Sequence, residues 1–413
     1  MNVLDITSGA SLSMRTLLAA MAAKGFRAIG LQATMFDSPQ GGAHVLKAGE
    51  AHKDKKILRT RVLGVEHIIV RTAHTFRPQM TCGEQEIYLK LYRDELKFRR
   101  PDMVILWGSL LLEMTVMREA REAGIPVVFY LVNSGYKNKE AFRYASVVVT
   151  DTQATADLYR ERFGMSCTPI GKFIDVGLIK APVRKPEFIT FINPSFEKGV
   201  NVFLPLAKLA ARECPEIKFL VVQSRGRWST AMKVLKFEPD DFPNVQIIGH
   251  QRDMRPVYGN TRALLLPSTW FESGARVIPE ALLNGVPILA SDTGGSSELV
   301  GQGGVIFTLP EDVREKKGIA AGEEVVRPWL DEIKRIWHDE AHYADLCRRA
   351  AKEGENHDIE HSTRRFLSAV SSCLPRNKAI APQAVAATDV KSVLKQALAR
   401  KQEKLTRRNR RKH

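Results

Sequence analysis

The feature that most constrains this 413-residue chain is an alternation of short apolar strands with helical segments that starts twice. In the first run, strands are predicted at Asn2–Ile6, Arg27–Leu31, Arg61–Leu63, His67–Val70, Pro101–Trp107, Gly124–Tyr130 and Ala145–Thr150. Helices are predicted at Leu12–Ala23 and Leu111–Glu122. The stretch Lys180-Ala-Pro-Val-Arg-Lys-Pro186 interrupts the pattern with prolines and charges, as an interdomain linker does. New strands then follow at Phe188–Ile192, Lys218–Gln223, Val245–Ile248, Ala263–Leu266 and Val286–Ala290, with a long helix at Leu330–Glu353 carrying Trp337 on its apolar side. Strands separated by helices make a parallel sheet covered on both faces. A restart implies two successive doubly wound α/β units, whose ligands sit at the carboxyl ends of the strands.

Composition narrows the class. Hydrophobic residues make up 44% of the chain, and no run reaches the ~20 apolar residues that a membrane span needs. Thr16–Ala23 is apolar but short and follows Asp5, so it reads as an amphipathic helix rather than a signal peptide. Five scattered cysteines argue against a disulfide framework or a zinc site, and for a reducing cytoplasm. The net charge of +16 is concentrated at the end: Lys391–His413 holds ten basic residues and one acid. The remainder, with 52 basic against 45 acidic residues, carries only +7.

The chemistry concentrates in Phe271-Glu-Ser-Gly-Ala-Arg-Val-Ile-Pro-Glu280 and its continuation through Gly285 to Ser291-Asp-Thr-Gly-Gly295 and Glu298. Two carboxylates eight positions apart bracket a small-residue loop, and the second opens a helix with Pro279 in its first turn. Free N–H groups at a helix start suit phosphate oxygens, and ionised carboxylates suit sugar hydroxyls. This Glu-x7-Glu arrangement resembles the signature of retaining glycosyltransferases with the GT-B fold, family 4 in particular. The resemblance spans roughly residues 1–370. It implies two Rossmann-like domains facing across a cleft: an acceptor-side domain at residues 1–180, completed by a helix near 355–373, and a donor domain at 181–354. Residues 374–413 form a linker and basic tail.

The resemblance also assigns roles. Lys198, in Asn193-Pro-Ser-Phe-Glu-Lys-Gly199, matches the lysine that contacts the leaving diphosphate. The family's arginine five residues earlier is Asn193 here, and Arg225 is a candidate to supply that charge. Glu272 falls near the transferred sugar, and Glu280 accepts from the ribose hydroxyls. Gly274, Ala275 and Arg276 lie where backbone approaches the sugar phosphate, His250 near the nucleobase, and Gly9 in the first strand-to-helix turn. The acceptor-side histidine and aspartate positions are Val132 and Asn133, with His74 as a substitute base. The family's departing phosphate is thought to take the acceptor proton, so that histidine is not strictly required.

The expected activity is transfer of a sugar from a nucleoside-diphosphate sugar, as co-substrate, to a hydroxyl of a bacterial glycan or lipid-linked saccharide. No Asp-x-Asp pair stands at a strand end and no Gly-x-Gly-x-x-Gly follows a strand, so neither an essential metal nor a nicotinamide or flavin cofactor is expected. In the tail, Val393, Leu394, Leu398 and Leu405 recur among basic residues, which suits an anionic membrane surface on the cytoplasmic side. Two other readings stay open: a non-catalytic GT-B protein that binds a glycan or nucleotide, and a nucleic-acid partner acting through the tail, the less favoured of the two.

Overall fold

The computed structural model describes residues 2–50 and 54–374. The linker and tail readings fall on residues outside that range. The N-terminal unit contains α1 (Gly9–Ala23), β1 (Ile29–Ala33), α2 (Pro39–Gly49), β2 (Ile57–Val62), β3 (Val65–Val70), α3 (Cys82–Arg99), β4 (Val104–Leu106), α4 (Leu111–Glu122), β5 (Val127–Leu131), β6 (Val147–Thr150), α5 (Gln153–Phe163), β7 (Thr168–Pro169) and α6 (Val176–Ile179). The second unit contains β8 (Phe188–Ile192), α7 (Val200–Glu213), β9 (Phe219–Val222), α8 (Trp228–Leu235), β10 (Val245–Ile248), α9 (Arg255–Asn260), β11 (Thr261–Leu266), α10 (Val277–Leu282), β12 (Ile288–Ser291), α11 (Ser296–Val300), β13 (Gly304–Phe307), α12 (Glu311–Glu315), α13 (Glu323–His338) and α14 (Glu340–Gly354). Finally α15 (Ile359–Ala369) returns to the first unit. There Phe366 meets Phe173 edge-on at 6.2 Å and Ser362 Oγ donates to the Lys172 carbonyl at 2.7 Å.

The second unit has one six-stranded parallel sheet in the order β10-β9-β8-β11-β12-β13. Its central strands are apolar on both faces because helices cover both. On one side α7 and α13 bury Phe203, Trp329 and Ile333; on the other α10 and α14 bury Ile278, Leu282 and Ala350.

The N-terminal unit departs from expectation at its start. Asn2–Ile6 is not a strand. The Asn2 N–H donates to the Met35 carbonyl and its side-chain amide to the Ala33 carbonyl, both at 2.9 Å, while its Oδ1 accepts from the Leu4 N–H. Asp5 Oδ1 likewise accepts from the Thr7 N–H at 2.7 Å. Asn and Asp side chains that capture the amide two residues on favour turns over a sheet ladder. These residues therefore form turns beyond the end of β1. Two sheets result, β1-β3-β2 and β4-β5-β6-β7, with β2 antiparallel to β3. The edges β1 and β4 both line one cavity of about 490 Å³, together with Met14 and Leu18 of α1, Tyr92 of α3 and Val116 of α4.

The long helix expected at Leu330–Glu353 is also two helices. Asp339 ends α13 and caps α14, its side chain accepting from the His342 N–H. No helix among the described residues is long and apolar enough to cross a membrane.

Candidate active site

The strand-end loops of the two units face each other. From the first, β6 leads into Asp151 and Thr152; from the second, β11 leads into Pro267–Arg276 and β12 into Asp292–Gly295. Thr152 Oγ1 donates to the Ser273 carbonyl at 2.8 Å, and Thr155 Oγ1 to the same oxygen at 3.2 Å. Glu298 accepts from the Gln153 and Ala154 N–H groups at 2.9 and 3.0 Å, capping α5 from the opposite unit. An acidic side chain at a helix N-terminus satisfies donors that the helix itself leaves free.

Two predicted residues meet at this junction. Lys198 closes a 3-10 turn after β8, and Gly199, with φ of +81°, turns the chain into α7. A Cβ at Gly199 would lie 1.7 Å from the Pro267 carbonyl oxygen, so only glycine lets these loops pack together. Lys198 Nζ lies 2.5 Å from Glu272 Oε1, and Ser268 Oγ donates to the same carboxylate oxygen. Ser268 Oγ also lies 3.0 Å from the Glu197 carbonyl oxygen, which keeps the serine against the lysine's own turn. Glu272 is buried, whereas the Lys198 side chain remains one-quarter exposed.

Glu280 is buried, with one partner at each oxygen. Tyr258 Oη donates to its Oε2 at 2.7 Å, and Arg276 Nε lies 2.6 Å from Oε1. Burial pushes the Tyr258 hydroxyl well above its usual range, and the adjacent carboxylate adds to the effect. Arg276 also reaches the first unit, donating to the Phe173 carbonyl at 2.8 Å. Ala275 is buried beside it. Gly274 has a purpose that the sequence did not suggest: a Cβ there would lie 2.5 Å from the Asp151 Cβ, so the glycine admits the facing unit.

Other expected residues stand elsewhere. Asn193 adopts φ of +65°, and its Oδ1 accepts from the Gly226 N–H at 2.7 Å. Asparagine tolerates this left-handed backbone better than arginine would, so Asn193 shapes the loop rather than presenting charge. Arg225 is half-exposed and reaches across to Asp37 at 3.7 Å. Asn133 Oδ1 accepts from the Gly135 N–H at 2.8 Å in a turn after β5, next to the half-buried Val132. His74 is exposed, within electrostatic reach of Glu84 at the start of α3. Gly9 is the first residue of α1 rather than part of a preceding turn, and its α-carbon fronts open space. His250 is half-buried after β10, with Nε2 unpartnered and the ring held below the usual imidazole range by burial and by Arg252.

Sequence reasoning missed Ser268, Tyr258 and the fully buried trio beneath the junction. In that trio Asp151 accepts from Tyr130 Oη at 2.6 Å and lies 2.5 Å from Lys172 Nζ. Only Ser268 left a trace, as a hydroxyl four residues before Glu272 in a strand-end loop. Burial raises the Asp151 carboxyl and Lys172 opposes the rise. No group of three or more His, Cys, Asp or Glu residues among those described could hold a metal ion.

No curated protein matches the chain in sequence. Residues 187–320 match the family model of glycosyl transferases group 1. Among solved structures, the chain is similar to the sucrose-phosphate synthase of Thermosynechococcus elongatus, with a TM-score of 0.66 at 14% identity over 90% of this chain and 97% of that one. It is also similar to HepE of Anabaena, solved with UDP and glucose, at a TM-score of 0.63 and 17% identity over 88% and 96% of the two chains. A glycosyltransferase from Rickettsia africae gives 0.63 at 13% identity over 89% and 96%. Residues 187–320 are therefore similar to the glycosyl transferases of group 1, and the chain has the GT-B fold.

Proposed function

We propose that the protein is a retaining glycosyltransferase that moves a hexosyl group from a nucleoside-diphosphate sugar to a hydroxyl of a glycan or lipid-linked saccharide, without a metal. The observation that carries this reading is the convergence of Lys198 and Glu272 at 2.5 Å on the side of the second unit that faces the first. In the reaction the bond from the sugar's anomeric carbon to the diphosphate breaks, and a bond to the acceptor oxygen forms on the same face. The acceptor proton passes to the departing phosphate. Negative charge grows on that phosphate, and a fixed ammonium at Lys198 stabilises it as it forms. Donor binding exchanges the Lys198–Glu272 contact for two new ones, lysine to phosphate and carboxylate to sugar hydroxyls. Glu280, held by Tyr258 and Arg276, faces the ribose, and Asn133 borders the acceptor. The enzyme would work in the cytoplasm, with the basic tail resting on the inner face of the membrane.

A thermal-shift panel of nucleotide sugars tests the donor reading, because a bound ligand stabilises by RT ln(1 + [L]/Kd). UDP-sugars come first, since HepE was solved with UDP. Stabilisation by none of them would sink the proposal. Slow donor hydrolysis by purified protein distinguishes an enzyme from a binding protein, and NMR of the product's anomeric configuration tests retention.

A further inference from the structure

The loop that carries Glu272 is held from both units. Within its own unit, the Glu272 carbonyl accepts from the Gly295 N–H at 2.7 Å, and its side chain meets Lys198 and Ser268. From the first unit, the hydroxyls of Thr152 and Thr155 donate to the Ser273 carbonyl at 2.8 and 3.2 Å, and both threonines are fully buried.

Two consecutive peptide planes are thus pinned by different units. A peptide unit is planar, so only φ and ψ of Ser273 separate the plane held by Gly295 from the plane held by the threonines. The second plane runs into Gly274, whose backbone imposes little restraint of its own. Without the two hydroxyls that plane is free to turn, one residue beyond the carboxylate.

The threonines stand on a stiff base. Thr152 caps α5, its Oγ1 accepting from the Thr155 N–H at 3.3 Å, and the preceding Asp151 is fixed by Tyr130 and Lys172. Glu298 of α11 takes the Gln153 and Ala154 N–H groups, which the helix itself leaves free. The fit is close. A Cβ at Gly295 would lie 2.6 Å from Thr152 Oγ1, so Gly295 touches the threonine and holds the Glu272 carbonyl at once.

We infer that Thr152 and Thr155 are positioning residues for Glu272, supplied by the opposite unit, and that Glu298 clamps the start of α5 in register for them. The carboxylate then takes its working place when the α5 N-terminus is seated on the second unit. The inference rests on the sugar-transfer reading for the role of Glu272, and on the contacts alone for the coupling.

The test uses the full chain. Thr152→Val with Thr155→Val keeps the branched shape and removes both hydroxyls, whereas Thr152→Ser with Thr155→Ser keeps the hydroxyls. In the valine variant, hydrogen exchange should rise across residues 270–296 and at the start of α5, while β8 and β9 exchange as in wild type. The serine variant should exchange as wild type does. Glu298→Gln should reproduce the valine pattern in smaller measure. In transfer assays the valine variant should lose kcat by about tenfold, the worth of two neutral hydrogen bonds, with nucleoside-diphosphate affinity unchanged and the serine variant recovering the rate. If the valine pair fails to fold, Thr155→Val and Glu298→Gln carry the same readouts. Wild-type exchange over residues 270–296, or a uniform rise through both units, overturns the coupling. A local rise in exchange with an unchanged kcat overturns the positioning role. Wild-type protein that neither transfers nor hydrolyses any nucleotide sugar would instead discard the sugar-transfer reading, and exchange would still decide the coupling.

Discussion

Lys198 and Glu272, 74 residues apart, meet at 2.5 Å where the loops after β8 and β11 cross. Removing one partner of a part-buried pair leaves the other charge uncompensated. Lys198→Ala should therefore lower the melting temperature as well as cut the transfer rate by about a hundredfold or more. Adding Glu272→Gln should restore most of the stability and none of the rate. A double-mutant cycle in thermal unfolding and kcat checks this. Additive stability losses would mean that the pair is not coupled.

Glu272→Gln alone should reduce kcat while leaving affinity for the free nucleoside diphosphate nearly intact, because its proposed contact is with the transferred sugar. Equal loss of both would reassign it to the nucleotide.

Glu280→Ala should weaken nucleoside-diphosphate binding about ten- to a hundredfold, the worth of one or two charge-assisted hydrogen bonds at ~1.5–3 kcal/mol each. Tyr258→Phe removes one donor to that carboxylate and should move affinity in the same direction, but less. If Tyr258→Phe alters melting temperature and not affinity, the tyrosine supports α10 only.

Beneath the junction, Lys172→Met should leave Asp151 buried without its cation, at a cost of about 3–5 kcal/mol. Its pH dependence has a definite sign. Burial raises the Asp151 carboxyl in the folded state, so the unfolded chain gives up that proton first. The variant should lose stability as pH rises from the usual carboxylate range towards neutrality. Chemical denaturation at several pH values reads this directly, and a flat difference from wild type would count against it.

His357 titrates in the opposite sense. It is buried, its Nε2 lies 3.0 Å from the Leu299 carbonyl, and burial holds the ring below the usual imidazole range. Stability should therefore be full above about pH 6.5 and fall as acidification charges the imidazole in the unfolded state first. His357→Gln should make the acid limb shallower; an unchanged limb would assign the loss to other groups.

For the tail, deletion of residues 385–413 should release the protein from anionic vesicles at low salt, where each basic residue contributes about 1 kcal/mol. Transfer to a small soluble acceptor should be unaffected. Full-length protein that ignores such vesicles would remove the membrane role.

Much of this architecture could be read from periodicity. β8, β10 and α4 begin and end where the apolar runs do, because buried parallel strands and amphipathic helices announce themselves in pattern. Asn2–Ile6 misled for a local reason: its apolar residues look like a strand, while Asn2 and Asp5 divert the backbone into turns. Lys198 and Glu272 stand out as site residues by resemblance, but their meeting is visible only in the structure. The Tyr130–Asp151–Lys172 trio leaves no such trace, since its members come from β5 and from the loops after β6 and β7. Arg225, a candidate for the missing diphosphate charge, faces Asp37 at 3.7 Å.

The separation of β1 from β4 sets how firmness is distributed through the molecule. Six strands in one continuous sheet make the second unit a single cooperative block, and its β8 and β11 amides should be among the last to exchange with heavy water. The first unit has two smaller sheets held together mainly by side chains around a 490 Å³ cavity. Amides on the cavity-facing edges of β1 and β4 have no ladder partner on that side, so local opening should expose them at a lower free energy than global unfolding. The half of the molecule proposed to face the acceptor is thus the softer half, and the one proposed to hold the nucleotide is the anvil.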